Sequence, residues 1–224
     1  MTMPEAALLR LLQLASPALP VGAFSYSEGL ETLTQQQRLP SAEALTHWLT
    51  QELQVGAVPL EAAIALRIHQ SFHQPDRLRY WNTWLLAARE TAELRQQSTQ
   101  MGRALCRLLA QLHPELAPTI AACGTPCNFA TAFAIAAAHW QISAETTVLA
   151  YLQSWAANLI SAAVKLIPLG QTGGQAVLLS LTGAIADTTQ TVLQLDDAQL
   201  TSSGWGAVLA SMQHETLYTR LFRS

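Results

Sequence analysis

Six histidines and three cysteines are the residues of this 224-residue chain best suited to metal binding or nucleophilic chemistry. His69 and His73 stand four apart, a spacing that sets two imidazoles on one helical face and can hold zinc. Gln70, Ser71 and Phe72 lie between them and Pro75 follows, so the glutamate base of a zinc-protease helix is missing and the pair reads as a solvated helix end. Cys123 and Cys127 flank Gly-Thr-Pro, with His113 upstream. That is neither a CxxC redox pair nor half of a structural zinc pattern, and two buried thiols serving as small apolar groups are expected. Direct metal carriage would need His69, His73, Cys123, Cys127 or His214 to converge, which their spacing does not indicate. No metal ligand and no catalytic residue is assigned.

Other motifs are equally bare of chemistry. Leu169 to Gln175 is glycine-rich and opens a helix, but no lysine follows the glycines as a phosphate loop requires, so it reads as a tight helix–helix turn. No nucleophile elbow and no Ser/His/Asp set stands out. Glu28 and Glu31 suit capping and first-turn positions better than an acid–base pair.

Two stretches are richer than packing alone requires. From Ser16 to Glu31 the chain reads SPALPVGAFSYSEGLE, a loop stiffened by Pro17 and Pro20, followed by an exposed-looking Tyr26 and two acids that open a helix. From His214 to Ser224 it reads HETLYTRLFRS, with Arg220 and Arg223 interleaved among Tyr218, Leu221 and Phe222. Arginine and aromatics are enriched in interface cores, so this segment has the character of a docking peptide; the alternative is a tail folded back on its own body.

The elements that must position these residues are helical. Apolar spacing and caps predict helices over Glu5–Ala15, from a Ser25/Glu28 capping box to Arg38, from Ser41 onward, and from Pro59 to His73. A long periodic stretch from Asp76 to Leu112 is expected to break near Ser98-Thr99, and His113-Pro114 ends it. After a turn at Gly124-Thr125-Pro126 come Phe129–Trp140, Ser143–Ile167, Gly174–Gln194 and a last helix between Asp197 and Arg220. The fold class is all-α, a single helical-bundle domain spanning residues 1–224 with about nine or ten helices.

Only 12% of residues are charged against 50% apolar, which excludes disorder, and the net charge of −3 gives no footprint for nucleic acid. The most apolar long window, Thr147 to Leu169, is interrupted by Gln153, Asn158 and Lys165, and the N-terminus makes a poor signal peptide, so a soluble cytoplasmic protein without a membrane role is expected. An odd number of cysteines agrees with reduced thiols. Between Leu116 and Ala186 the only formal charges are Glu145 and Lys165. Such helices would leave apolar surface exposed on a monomer, so an oligomer or a partner-dependent protein is expected.

The two singled-out stretches carry a resemblance to the UreF family of urease accessory proteins. Leu14, Ser16, Pro17, Leu19, Pro20, Gly22, Phe24, Tyr26, Ser27, Gly29, Leu30 and Glu31 fit its N-terminal signature. His214, Glu215, Tyr218, Arg220, Leu221, Phe222 and Ser224 fit its closing pattern. Glu93-Leu94-Arg95, Met101-Gly102-Arg103 and Leu166 to Gln171 resemble its middle segments. The chain departs from the family at Gly124 to Ala130, where members often carry a histidine before the proline and a glycine after the phenylalanine. The resemblance implies an all-helical homodimer without catalysis or cofactor of its own. It would bind the UreD (UreH) scaffold and the GTPase UreG and serve nickel delivery to apo-urease, with nickel handled by the complex. The partner-binding residues it implies are Ser16, Pro17, Gly22, Tyr26, Glu28, Gly29 and Glu31 at one end and His214, Glu215, Tyr218, Arg220, Phe222, Arg223 and Ser224 at the other. An alternative reading is activation of the GTPase through Arg95, Arg103 or Arg107.

Overall fold

Four helix starts in this chain are set by side chains that accept the first free backbone N–H groups. Ser41, Thr91, Asn128 and Ser143 each accept from the residue three positions on. A computed structural model describes residues 3–224. Its helices are α1 (Glu5–Leu14), α2 (Leu30–Gln35), α3 (Ala42–Val55), α4 (Ala57–Gln70), α5 (Pro75–Ala88), α6 (Ala92–Leu112), α7 (Ala117–Ala122), α8 (Phe129–His139), α9 (Ala144–Leu166), α10 (Gly170–Ser180), α11 (Thr182–Gln194) and α12 (Trp205–His214). The all-α expectation holds, and the described residues contain no strand.

The count among the described residues is twelve helices, not nine or ten. One addition is α7, in the stretch between His113 and the turn at Gly124. The other comes from Gly174–Gln194, which divides at Leu181, where α10 and α11 bend by 41°.

Two boundaries also move. The long charged stretch breaks at Arg89–Thr91 rather than Ser98-Thr99, because Thr91 caps α6 while the Arg89 guanidinium turns away to pair with Glu61. Thr99 instead donates back to the Gln96 carbonyl, which the helix tolerates. The expected Ser25/Glu28 capping box does not form. Ser25 ends a 3₁₀ turn, Glu28 (φ 52°) and Gly29 (φ 85°) both adopt left-handed backbone, and α2 starts only at Leu30.

The most apolar helix, α8, is central: every residue from Phe129 to Ala137 is buried. It packs against α4, α6 and α9. Small residues permit this closeness, since Ala62, Ala63 and Ala65 of α4 and Ala132, Ala134 and Ala136 of α8 are all fully buried. The charge-poor region therefore does not leave α8 exposed. Large exposed apolar side chains lie instead on α1 (Leu8, Leu9, Leu12) and α12 (Trp205, Leu209, Met212), with Leu149 and Leu179 on α9 and α10. Helix α9 is long and apolar enough to cross a membrane, yet 67% of its most apolar window is buried inside the protein, as befits a core helix.

Candidate functional site

The two stretches singled out by sequence fold against each other. Ser27 donates to the Ser224 carbonyl oxygen from its backbone N–H at 2.7 Å and from its hydroxyl at 2.6 Å. Arg223 N–H donates to the Ser25 carbonyl at 2.8 Å. The Ser27 hydroxyl also accepts the Glu31 N–H, while Gly29 holds the N-cap position of α2.

Glu31 is the centre of this joint. It is 3% exposed, and its carboxylate accepts the backbone N–H groups of Leu221 at 2.7 Å and Phe222 at 3.0 Å. Its Oε2 also faces His214 Nε2 at 3.2 Å, while His214 Nδ1 faces Glu93 Oε2 at 2.8 Å. Each ring nitrogen thus meets a carboxylate. Arg220 completes the network on Glu93 Oε1 at 2.8 Å. Phe222 is buried with the Lys165 ammonium 5.4 Å from its ring centroid. The tail is held to its own body, and of the two readings the structure shows the folded-back one.

Gly29 serves the joint twice. Its left-handed φ of 85° turns the chain into α2, and a Cβ there would sit 2.8 Å from Ala210 Cβ of α12. Tyr26, expected to be exposed, is buried at 7%. Pro17, Glu215, Tyr218, Arg220 and Arg223 are exposed, Ser16, Gly22 and Glu28 are intermediate, and Glu31, His214, Phe222 and Ser224 are buried. The assigned residues therefore divide into a buried scaffold and an exposed rim. Phe24 at 69%, Tyr218 at 95% and Leu221 at 63% exposure add apolar area to that rim.

Behind the joint lies a polar chamber. Glu28 accepts from Gln97 Nε2 at 2.6 Å and from the Trp155 indole at 3.0 Å, and Gln97 Oε1 in turn accepts from the Ser224 hydroxyl at 2.8 Å. Next to Glu28, Glu61 pairs with Arg89 and accepts the Tyr151 hydroxyl at 2.5 Å. Burial raises the Tyr151 phenol, so it stays protonated as a donor. Glu52, in an adjoining pocket, is pushed up to about 7 by burial and by the charges of Glu28 and Glu90. Gln97, Glu61, Arg89, Tyr151 and Trp155 carry no local sequence signal; only packing of α4, α5, α6 and α9 brings them to Glu28.

The remaining candidates disperse. His69 Nε2 lies 2.7 Å from the Ile142 carbonyl and its ring is shifted down by burial, whereas His73 falls beyond the end of α4 against Phe72. Cys123 and Cys127 are buried, as expected. Cys106 joins them, and its hydrogen bond with Cys127 lowers the Cys106 thiol while Cys127 is pushed well up. Arg95 donates to the Arg89 carbonyl, and Arg103 and Arg107 are exposed on α6.

Residues 39–182 match the protein family described as UreF. A protein from Trichormus variabilis named urease accessory protein UreF is 54% identical over 225 residues, covering 100% of this chain and 98% of that protein. One of the same name from Nostoc sp. is 55% identical with the same coverage. Another, from Hahella chejuensis, is 38% identical over 99% of this chain and 100% of its own length. The two halves of the joint, residues 16–31 and 214–224, flank the family-matched span of residues 39–182 and fall inside these full-length similarities.

Proposed function

The chain belongs to the UreF family of urease accessory proteins, and on that premise we propose that it is a non-catalytic adaptor in urease maturation. In this reading it works as a cytoplasmic homodimer that holds a UreD (UreH) scaffold and the GTPase UreG together while nickel passes to apo-urease. It needs no cofactor of its own, and nickel is the cargo of the assembly.

The observation that carries this reading is the joint itself. Two segments far apart in sequence are locked together by a buried carboxylate, and the lock holds a rim of arginine, aromatic and leucine side chains at the surface. A rigid, mixed apolar and cationic rim is what a recognition surface needs, because little ordering entropy remains to be lost on docking. Glu28, Gln97, Trp155 and Ser224 of the chamber are engaged with one another, as in a scaffold.

Co-expression with the cognate UreD and UreG, followed by light scattering on the purified complex, tests it. The expected result is a dimer alone and a complex containing all three proteins. Tyr218→Asp and Leu221→Asp, both at exposed positions, are expected to abolish co-purification while leaving helicity unchanged. A monomer that ignores both partners would overturn the adaptor reading. The GTPase-activating alternative draws support from the exposure of Arg103 and Arg107 on α6. Single-turnover GTP hydrolysis by UreG with the Arg103→Ala and Arg107→Ala variants decides it, and an unchanged rate removes it.

A further inference from the structure

His113 closes α6 and His139 lies in the last turn of α8, two helices that pack together and end side by side. Glu115 follows His113 on a single 3₁₀ turn. His113 Nδ1 lies 3.2 Å from Glu115 Oε1, His139 Nε2 lies 3.2 Å from the same oxygen, and the two nitrogens are 3.4 Å apart. We propose that His113, Glu115 and His139 form a surface site for a divalent transition cation of the zinc or nickel kind.

The triangle has the right size. Ligands on one tetrahedral cation at bond lengths of about 2.0–2.1 Å are separated by about 3.3 Å. The three donor atoms already stand at that spacing, so a cation is bound with little movement of the backbone. Two imidazoles and one carboxylate suit zinc, nickel or copper and not magnesium. The carbonyl ends of two helices face the same region and favour positive charge. The imidazoles are about a quarter exposed and Glu115 is 59% exposed, which leaves the outer positions open to water.

The same geometry sets an internal cost. The Trp140 indole donates to His113 Nε2 at 3.1 Å, so without a cation the proton of His113 sits on Nδ1 and points to Glu115. A cation on Nδ1 moves that proton to Nε2, where it meets the indole N–H, and Trp140 must yield. Arg10 is also near enough to act on His139. Binding in the micromolar class is therefore expected, with a change in Trp140 emission. This site stands on its ligand geometry alone, so its failure would leave the adaptor reading untouched.

Calorimetric titration of the untagged, chelator-stripped chain with Ni²⁺, Zn²⁺ and Mg²⁺ tests it. One site is expected for Ni²⁺ and Zn²⁺ and none for Mg²⁺. His113→Ala or His139→Ala should weaken it by roughly tenfold or more, as loss of one of three ligands demands, with circular dichroism unchanged. Trp140→Phe should tighten binding severalfold, an effect that a purely structural role for these histidines would not give. Absence of Ni²⁺ and Zn²⁺ binding, or binding that survives the double histidine variant, would overturn the proposal.

Discussion

A carboxylate buried at the joint carries more of the local structure than any other single residue. Glu31 satisfies two backbone N–H groups of the tail and one face of the buried His214, so removing it takes the partner from all three. Glu31→Ala is expected to lower stability by about 3 kcal/mol in urea titration and to expose the tail to trypsin at Arg220 and Arg223. Intact tail protection in that variant would remove Glu31 from the centre of the joint. Glu52 acts in the opposite sense. Its folded pKa of about 7 lies above the ordinary value of 4.5, so its contribution is fully present below that lower value and is lost as pH rises through 7. Glu52→Gln should therefore flatten the stability profile between pH 5 and 8 by about 2 kcal/mol, read as urea midpoints at each pH. A profile as steep as that of the parent chain would contradict it.

At the scale of elements, α6 is the part on which the site depends. Its N-terminal half supplies Glu93 and Gln97 to the joint, and its middle touches the turn before α8. A Cβ at Gly102 would overlap the Cys127 carbonyl and approach the Asn128 carbonyl to 2.8 Å, and a backbone cannot yield as a side chain can. That turn is itself fixed, since Asn82 donates to the Cys123 and Pro126 carbonyls and accepts the Asn128 N–H at 3.0 Å. Gly102→Ala is thus expected to cost about 1–3 kcal/mol by forcing α6 off α8, measured by thermal unfolding. A neutral effect would mean that the turn moves freely.

Across the whole molecule, the distribution of charge follows burial. From Phe129 to Ala137, helix α8 has no charged face because it has no outer face, being enclosed by α4, α6 and α9. Ala134→Leu should therefore destabilise by about 1–3 kcal/mol through overpacking. Leu179→Ser, at a position 76% exposed, should stay within about 0.5 kcal/mol of the parent. Equal effects from the two would contradict the central placement of α8.

The sequence by itself determined the helical class, the starts of α1, α3, α5, α8 and α9 and the family resemblance, because caps and apolar spacing act over three or four residues. It also marked both halves of the joint, Ser16 to Glu31 and His214 to Ser224. It could not show that these halves meet, that Tyr26 and Glu31 are buried, or that Glu28 reaches Gln97 and Trp155, since those contacts join residues at least 69 positions apart. The break at Arg89 was hidden for the same reason: its cause is Glu61 on another helix. Nor did any spacing reveal the convergence of His139 on His113 and Glu115. Local propensity writes elements into a sequence, whereas partners of buried charges are chosen by packing between elements, and only the tertiary structure makes that choice.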